Sequence, residues 1–482
     1  MIPLIGFAPD MDPATPGVIT DCSHLIPYES GMKAAPKAVA PLGVGPLAAA
    51  CTGASVLSDL SSVRRILAGT ATKLYEYNGT AWADVSRAAA YTGGVDSRWS
   101  FAQFGNSAIA ANGADFLQRS TGAAFADIAG SPKAEVVISI AGFLMALNFN
   151  DGTVTPDGWY CSALYDETNW ALSVSTQSTK GRLISTEGKI TAGKSLGSYV
   201  VAYKAKAIYV AQYVGAPAAW QWDQIIGGDA GCSGKDALVD VGGVHYFAND
   251  ENFWSFDGTR PIPIATNQVR KWWLDNSDPT YRYRTIAAHD KQNNLIWFYY
   301  CSRGSGGVVD SALAYHMNIK QWGRADRSIQ AAFSYVSPGV TIDGMDAYGA
   351  SIDALPQVPF DSQFWLTGGR TLAVIDTANQ VRQMTGAAEN STLTTGDFGD
   401  DFQVSMLRQF RPRFAKAPTT ATATFSRQFV KGGDITNGSA SSINDGHFKA
   451  TQRARWHRAR LAFTGDVSIT GYQPELVRNG KR

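Results

Sequence analysis

Short apolar runs alternate with turn residues through the middle of the chain. The stretch "RRILAGTATKLYEYNGTAWADVS", which starts at Arg64, breaks at Gly69 and at Asn78-Gly79, and an Asn-Gly pair between apolar runs is a strong hairpin signal. The stretch "WSFAQFGNSAIAANGADFLQRSTGAAFADIAG" has the same pattern with further turns. Each stretch has room for about four short strands, so the pattern predicts antiparallel sheets and an all-β fold.

Nearly the same eight residues occur twice, as "GTAWADVS" from Gly79 and as "GAAFADIA" from Gly122, 43 residues later. Similar contexts recur along the chain, and they are marked by Trp82, Phe125, Trp170, Trp220, Pro261 and Trp322. A four-stranded propeller blade needs about 40 to 50 residues, and most steps between these markers have about that length. The last step is longer and contains "CSRGSGGVVDS", which we interpret as a loop insertion between two strands.

The repeat predicts a β-propeller with loop insertions over residues 61–396, to which "FWLTGGRTLAVIDTANQVRQMTG" contributes a further unit. A series of hairpins in sandwich domains is the alternative, because it also places turns about every 8 to 12 residues. A sandwich gives no reason for an aromatic side chain to recur near the end of each unit. The propeller is therefore the favoured interpretation.

The two ends of the chain differ from the middle. Eight of the 20 prolines lie in the first sixty residues, which excludes a long helix or a central strand there. Apolar residues such as Leu4 and Phe7 predict that residues 1–60 form an extended arm docked on the protein, the alternative being a flexible tail. Residues 397–482 predict a small basic β domain, either separate or completed by the arm as one platform. The alternation in "FKATQRARWHRARLAF" predicts a half-exposed strand pair within it.

Charge is unevenly distributed. The formal net charge is +1, yet residues 403–482 carry 14 Lys or Arg and four Asp or Glu, so this end has +10 and the first 402 residues have −9. Spacing by two residues predicts that Arg411 and Arg413 share one face of a strand, as do Arg453 with Arg455 and Arg458 with Arg460. A docking face and a merely solvated face both fit this pattern. The candidate docking residues are Arg408, Arg411, Arg413, Arg453, Arg455, Arg458 and Arg460.

Composition limits the class of protein. Hydrophobic residues make up 45% and charged residues 17%, which supports a large core and argues against wholesale disorder. The five cysteines are odd in number, scattered and without a C-x-x-C pair, so we expect free thiols in a reducing compartment. No signal-peptide pattern opens the chain, and the run "VVISIAGFLMALNF" is too short to span a bilayer. We expect a soluble protein without a membrane anchor.

No catalytic motif is complete. The stretch "GGDAGCSGKD" resembles a phosphate-binding loop but lacks its first glycine and has Asp236 where Ser or Thr would bind magnesium, so a loop between blades is the simpler interpretation. The six histidines lack zinc spacing, and His245 and His316 fit ordinary strand positions. The acidic cluster Asp397, Asp400 and Asp401 lacks the spacing of an EF-hand, which favours loop solvation over calcium binding. A glycosidase carboxylate pair is spatial and stays open, although nothing indicates one.

Three stretches carry a family resemblance. The opening "GFAPDMDPATPGVITDCSHLIPYESGMKAAP", the repeat with "LYEYNGTAWADVS", and the end "RQFRPRFAKAPTTATATFSRQFVKGG" followed by "RARWHRARLAFTGDVSITGYQPELVRNGKR" resemble the tail nozzle proteins of short-tailed bacteriophages (podoviruses). These are also called packaged-DNA stabilisation or tail tube proteins. Together the stretches span nearly the whole chain. The likeness is one of general pattern, and none of the stretches is a catalytic signature.

The resemblance implies a structural virion protein made in the host cytoplasm and assembled in the virion tail. Six copies would form a ring below the portal and its adaptor, or head–tail connector, ring, retain the packaged DNA and conduct it during ejection. Double-stranded DNA would pass transiently and without sequence specificity, and tail fibre, spike or needle proteins would be further partners. The resemblance implies no enzymatic activity and no cofactor. Inserted loops would narrow the conduit, with "CSRGSGGVVDS" and the region from Tyr335 to Phe360 as candidates.

The charge distribution fits that implied role. A strongly basic conduit would hold DNA, whereas the near-neutral body would let it slide, and the basic end would dock a more acidic ring. Two other functions stay open. One is a carbohydrate-binding or carbohydrate-cleaving receptor-recognition propeller at the phage tail, which requires exposed Trp and Tyr side chains at one propeller mouth. The other is a cytoplasmic scaffold propeller, which the absence of a repeated Gly-His and Trp-Asp signature disfavours.

Overall fold

The computed structural model describes residues 1–41, 44–78, 81–336, 345, 349, 351–355 and 370–478. The fold is all-β, as predicted. The N-terminal arm contributes four strands: β1 (Ile2–Pro3), β2 (Ile19–Ser23), β3 (Leu25–Tyr28) and β4 (Gly31–Ala34).

Five antiparallel sheets of four strands each follow in chain order. The first contains β5 (Cys51–Ser58), β6 (Arg64–Thr70), β7 (Leu74–Tyr77) and β8 (Trp82–Asp84). The second contains β9 (Ser100–Phe104), β10 (Ser107–Ala111), β11 (Gln118–Ser120) and β12 (Ala126–Asp127). The third contains β13 (Lys133–Ile140), β14 (Phe143–Asn150), β15 (Val154–Cys161) and β16 (Lys180–Arg182). The fourth contains β17 (Ile190–Leu196), β18 (Tyr199–Lys204), β19 (Ile208–Gly215) and β20 (Ala219–Ile225), and the fifth contains β21 (Leu238–Val241), β22 (Val244–Ala248), β23 (Phe253–Phe256) and β24 (Ile262–Pro263).

Two more sheet units complete the propeller. Helix α1 (Arg270–Asn276) and a 3-10 helix (Pro279–Arg284) lead to the sixth unit, which contains β25 (Ile286–Asp290), β26 (Leu295–Cys301), β27 (Val309–His316) and the first half of β28 (Gln321–Val336). The second half of β28 pairs with β29 (Arg370–Asp376), which pairs with β30 (Val381–Gln383). Val39 of the arm bridges to β30 at its outer edge. A second short 3-10 helix spans Ile352–Ala354.

The first strand of each unit lines a central channel. Around this channel lie β5, β9, β13, β17, β21, β25 and the second half of β28, and the last of these packs against β5 to close the ring. The second strand of a unit is buried on both faces, because each sheet is packed between two neighbours. All seven residues of β26 and all five of β10 are buried for this reason. The described part of the chain therefore forms a propeller of seven units.

The six recurring marker residues, five of which are aromatic, have a packing role. Trp82, Trp220 and Trp322 lie in the fourth strands β8, β20 and β28, while Phe125 and Pro261 directly precede β12 and β24. Trp170 lies in the connection between β15 and β16. Their rings fill the gap between neighbouring sheets, as where Trp220 packs edge-on against Phe143 with ring centroids 5.6 Å apart. The repeated eight residues thus mark the fourth strands of the first two sheets, although Gly79 and Thr80 lie outside the described residues.

The C-terminal strands form a two-layered platform. They are β31 (Ser391–Thr395), β32 (Phe398–Gly399), β33 (Ser405–Lys416), β34 (Thr420–Gln428), β35 (Thr436–Ser442), β36 (Phe448–Ala454), β37 (Trp456–Thr464) and β38 (Ser468–Arg478). One layer has the order β4-β38-β33-β36, and the other has the order β2-β31-β37-β34-β35. Phe410 of the first layer packs against Phe425 of the second, with ring centroids 5.8 Å apart.

The arm joins the platform to the propeller. β1 and β4 pair with β38, β2 pairs with β31, and β3 connects β4 to the first half of β28 in the sixth unit. A continuous buried core runs from Phe7 in the arm through Phe253 and Trp322 of the propeller to Phe410 and Phe463 of the platform. These strand pairings dock the arm between Ile2 and Ala34.

Three details differ from the sequence analysis. The first sheet begins at Cys51, so the boundary drawn at residue 60 cuts the hairpin of β5 and β6. The platform includes β31, which precedes the boundary drawn at residue 397. The strands β36 and β37 have the predicted alternating burial, but they do not pair with each other. β36 pairs with β33 in one layer and β37 pairs with β34 in the other, because the turn between them crosses the core.

Candidate functional site

One outer face of the platform is strongly basic. Arg408, Arg411 and Arg413 are exposed on β33, and Lys449 and Arg453 are exposed on the neighbouring β36. The residues between them, such as Phe410 and Phe448, point into the core. A β-bulge between Leu407 and Gln409 shifts the alternation of β33, so that Arg408 is exposed as well. We call these five cations the basic face.

The basic face has little internal neutralisation. Arg413 donates a hydrogen bond to Gln473 Oε1 at 3.1 Å. The side chains of Arg408, Arg411, Lys449 and Arg453 form no hydrogen bond or ion pair with the described residues. Their charges are therefore available to a partner. Adjacent like charges in a half-exposed sheet repel one another, and an acidic partner surface would remove that repulsion.

The other three candidate arginines lie elsewhere. Arg455 is in the turn between β36 and β37, and Arg458 and Arg460 are on β37 in the opposite layer. Arg458 Nε donates to Oδ1 of the buried Asp397 at 2.8 Å, which gives it a structural role. The predicted pairs Arg411 with Arg413 and Arg458 with Arg460 do share a face. The seven arginines as a set are divided between two faces of the platform, because consecutive strands belong to different layers.

The channel of the propeller holds a second group of charges. It encloses a cavity of about 590 Å³, which is within the usual size range of small-molecule sites. At one end, Arg98 before β9 forms an ion pair with Asp236 before β21, and Lys235 Nζ lies 2.9 Å from Glu135 Oε2. Towards the other end, Lys194, Asp240 and His289 line the cavity. Lys194 is exposed to the channel, and desolvation by the surrounding walls lowers the pKa of its ammonium group.

The buried histidines are held in hydrogen-bond networks. His245 contacts the Tyr203 hydroxyl at 2.8 Å and the Ser195 carbonyl oxygen at 3.0 Å, and His457 contacts Ser405 Oγ at 3.0 Å. Burial lowers the pKa of each of these imidazoles to about 4. Both rings are neutral at pH 7 and form hydrogen bonds within the strands around them. This agrees with the interpretation of His245 as an ordinary strand residue.

The thiols are buried, and the acidic cluster of Asp397, Asp400 and Asp401 is bonded to neighbouring residues of the platform. The five cysteines are free and buried, and burial raises the pKa of Cys51 to about 11. Asp397 pairs with Arg458, Asp400 accepts from the Phe402 N–H at 2.8 Å, and Asp401 accepts from Trp456 Nε1 at 2.8 Å. Within the described ranges, no cluster of three or more His, Cys, Asp or Glu could hold a metal ion.

The loops singled out in the sequence have structural positions. "GGDAGCSGKD" connects β20 to β21 between two sheets, and no helix follows it. In "CSRGSGGVVDS" the Arg303 N–H donates to the Asn276 carbonyl oxygen at 2.8 Å, and Arg284 donates to the Gly307 carbonyl oxygen at 2.7 Å, so this loop packs on α1 and the 3-10 helix. The candidate region from Tyr335 to Phe360 falls mostly outside the described residues.

Exposed aromatic side chains are dispersed. Tyr165, Tyr199 and Tyr283 are the exposed tyrosines of the described chain, and they lie in the third unit, the fourth unit and the 3-10 helix. No described tryptophan is among the exposed large hydrophobic residues. The carbohydrate alternative, which needs such rings at one propeller mouth, gains no specific support from this arrangement. Likewise, no described helix is long and apolar enough to cross a membrane.

Sequence reasoning missed part of these groups. Lys449 belongs to the basic face. Its position in the alternating stretch "FKATQRA" predicts that it shares the exposed face of the strand with Arg453. Lys194 and Asp240 come from separate propeller units, and no spacing in the sequence relates them.

Comparison with known proteins gives no family. No protein-family model matches the chain, and no curated protein matches it. Among solved structures, the chain is similar to "YCF48 bound to D1 peptide", with 13% identity, coverage of 74% of this chain and 97% of that one, and a TM-score of 0.37. It is also similar to the computationally designed Ika8 protein, with 9% identity, coverage of 72% and 99%, and a TM-score of 0.37. YCF48 from Cyanidioschyzon merolae has 12% identity, coverage of 60% and 88%, and a TM-score of 0.35.

Proposed function

We propose that this protein is a structural virion protein of a short-tailed bacteriophage, one of six subunits of a tail nozzle that retains packaged DNA and conducts it during ejection. The proposal starts from the sequence resemblance and is supported by one structural observation. The arm and the C-terminal strands form a single platform whose outer basic face leaves four of its five cations unpaired within the described chain.

A rigid platform suits attachment to a larger ring. Its two layers share an aromatic core, and the arm ties it to the propeller through β3 and β28. Charged groups held on a sheet present a fixed pattern, so a complementary acidic ring would bind in one orientation. The role given to the basic face is to dock the adaptor ring, while the propeller lies outside the conduit.

The ring itself would use contacts between different faces of neighbouring copies, which close when the rotation per subunit is sixty degrees. The acidic balance of the first 402 residues keeps the propeller from holding DNA electrostatically. The platform then carries the positive charge at the end that meets the partner.

The test is assembly of the full chain with the portal and adaptor proteins of its own phage. We would coexpress them, purify the complex and measure its mass by native mass spectrometry. The expected result is six copies of the 51.6 kDa chain on the adaptor ring. The variant Arg411→Glu/Arg413→Glu/Arg453→Glu should weaken attachment at least about a hundredfold, because it replaces attraction by like-charge repulsion at three positions.

A matched control keeps the number of reversed charges. Arg64, Lys189 and Arg260 are exposed on the propeller, and their side chains form no ion pair or hydrogen bond with described residues, so their triple reversal to Glu should leave attachment unchanged. Normal attachment of the platform variant would show that the basic face does not dock the adaptor. A chain that stays monomeric beside its adaptor would contradict the nozzle proposal itself. Arg458 is left intact because its loss would unpair the buried Asp397.

A further inference from the structure

Polar contacts and an ion pair cross one end of the propeller channel, and we call the cavity above them the cup. The backbone N–H of Cys51 donates to Gln330 Oε1 at 2.6 Å, and Arg98 Nη2 donates to the Gln330 carbonyl oxygen at 2.9 Å. These residues belong to the starts of β5, β9 and the second half of β28, so those inner strands begin at one end. Arg98 also reaches across the channel to Asp236 of the fifth unit. Paired charges therefore cross this end, which we call the floor of the cup.

The opposite half of the cup has unpaired cations. Lys194 is near the end of β17, Lys291 directly follows β25, and Arg370 opens β29 opposite Val336, the last residue of β28. All three line the cavity, and none of their side chains forms a hydrogen bond or ion pair with the described residues. Asp240, near the end of β21, is the one acidic lining residue of the described chain that has no ion pair. Among the described lining residues, the mouth thus has an excess of two positive charges.

Lys194, Lys291 and Arg370 are exposed to the channel, where like charges held at one mouth repel one another. Desolvation by the surrounding walls also lowers the pKa of the Lys194 ammonium group. An anion bound in the cup would replace the lost hydration, and hydrogen bonds to charged groups are stronger than neutral ones. Ser139 and Ser334 line the same half of the cavity, and their hydroxyl groups supply neutral donors. The neutral floor and the cationic mouth together select for negative charge.

We propose that the cup binds a small oxyanion with at least two negative charges, a phosphate ester or a polycarboxylate, between Lys194, Lys291 and Arg370. The volume of about 590 Å³ is in the range of small-molecule sites. This proposal does not depend on the virion role, because the cup lies in the propeller and the basic face lies on the platform.

The experiment is isothermal titration calorimetry on the full chain at low salt, with inorganic phosphate and with citrate as the two probes. Lys194→Gln should weaken binding at least about tenfold, whereas Lys194→Arg should retain it, because the site requires the charge. Asp240→Asn should bind more tightly, since it removes the competing negative charge. Lys189→Gln, in the turn before β17, is the matched control and should bind as the unchanged protein does.

The platform also carries positive charge, so the variant Arg411→Glu/Arg413→Glu/Arg453→Glu is titrated in parallel. Unchanged anion binding by this variant places the site in the cup, and lost binding would overturn the proposal. Failure of both probes to bind at millimolar concentration would overturn it too. Binding by Lys194→Gln that is as tight as binding by the unchanged protein would also overturn it. A preference for citrate over phosphate would identify a polycarboxylate ligand, and the reverse would identify a phosphate. Circular dichroism of each variant establishes that the comparison is between folded proteins.

Discussion

At the scale of single residues, burial determines the protonation of the polar groups. His457 lies in β37 with both ring nitrogens bonded, Nε2 to Ser405 Oγ at 3.0 Å and Nδ1 to Gln452 Nε2 at 2.9 Å. Charging this ring would require it to lose a hydrogen-bond acceptor and to hold a cation in the core. Its pKa of about 4 follows from that burial.

This burial makes the stability of the protein depend on pH. The pKa of His457 is lower in the folded state than the usual 6.5, so the unfolded state binds more protons between these values and stability falls as pH falls. Between pH 7 and pH 5 the loss from this residue is about 2 kcal/mol. His457→Gln keeps a hydrogen-bonding side chain and should remove that part of the pH dependence, as measured by urea unfolding at the two pH values. His447→Gln, at a half-exposed turn, is the control, and an equal effect of both variants would refute the assignment.

At the scale of elements, the arm stabilises structures far away in sequence. Helix α1 has no capping side chain of its own at Val269. Asp10 of the arm supplies one, because Oδ2 accepts from the Lys271 N–H at 2.5 Å and Oδ1 accepts from the Trp272 N–H at 2.9 Å. The carboxylate also lies at the positive end of the helix dipole.

Removal of this cap should weaken the start of α1. Asp10→Ala should cost about 1 kcal/mol of stability, as loss of an N-terminal capping side chain does elsewhere. The backbone amides of Lys271 and Trp272 should exchange their hydrogens faster, which hydrogen-exchange mass spectrometry or NMR would detect. Asp275→Ala changes an exposed acid in the same helix and should leave both amides unaffected. Unchanged exchange in Asp10→Ala would mean that the contact contributes nothing to the helix.

At the scale of the whole molecule, the platform and the propeller share one core. Phe7 is fully buried and packs edge-on against Trp272, with ring centroids 5.2 Å apart, in the cluster that also contains Phe298 and Phe463. A side chain in such a position supports both parts. The two parts should therefore lose their structure together.

Calorimetry tests this coupling. Phe7→Ala should lower the free energy of unfolding by about 3 to 5 kcal/mol, because it leaves a cavity in the shared core. Differential scanning calorimetry should show one transition that moves to lower temperature as a whole. Phe402→Ala, which removes an exposed ring on the platform, should leave the transition in place. A second transition that stays unchanged in Phe7→Ala would show that the two parts unfold independently.

The sequence by itself determined the strand-rich class, the propeller repeat and the docked arm. These follow from local signals: period-two alternation, turn residues, and an aromatic wedge at a regular interval, such as Trp220 and Trp322. It also located the basic end, since charge composition is independent of folding. The alternation of "FKATQRA" was sufficient to place Arg453 on an exposed face.

Only the tertiary structure decided how distant segments combine. β36 and β37 are consecutive, yet they belong to different layers, so Arg453 and Arg458 lie on different faces of the platform. No local pattern in the sequence predicts that the chain crosses between the layers at this turn. Asp10 meets α1 and Val39 meets β30 because the arm returns across the fold. The cup depends on closure of the ring, which brings Lys194 and Arg370 from different units to one mouth. Local propensity acts over a few residues, whereas these contacts depend on how whole sheets pack, and their positions follow from the complete fold.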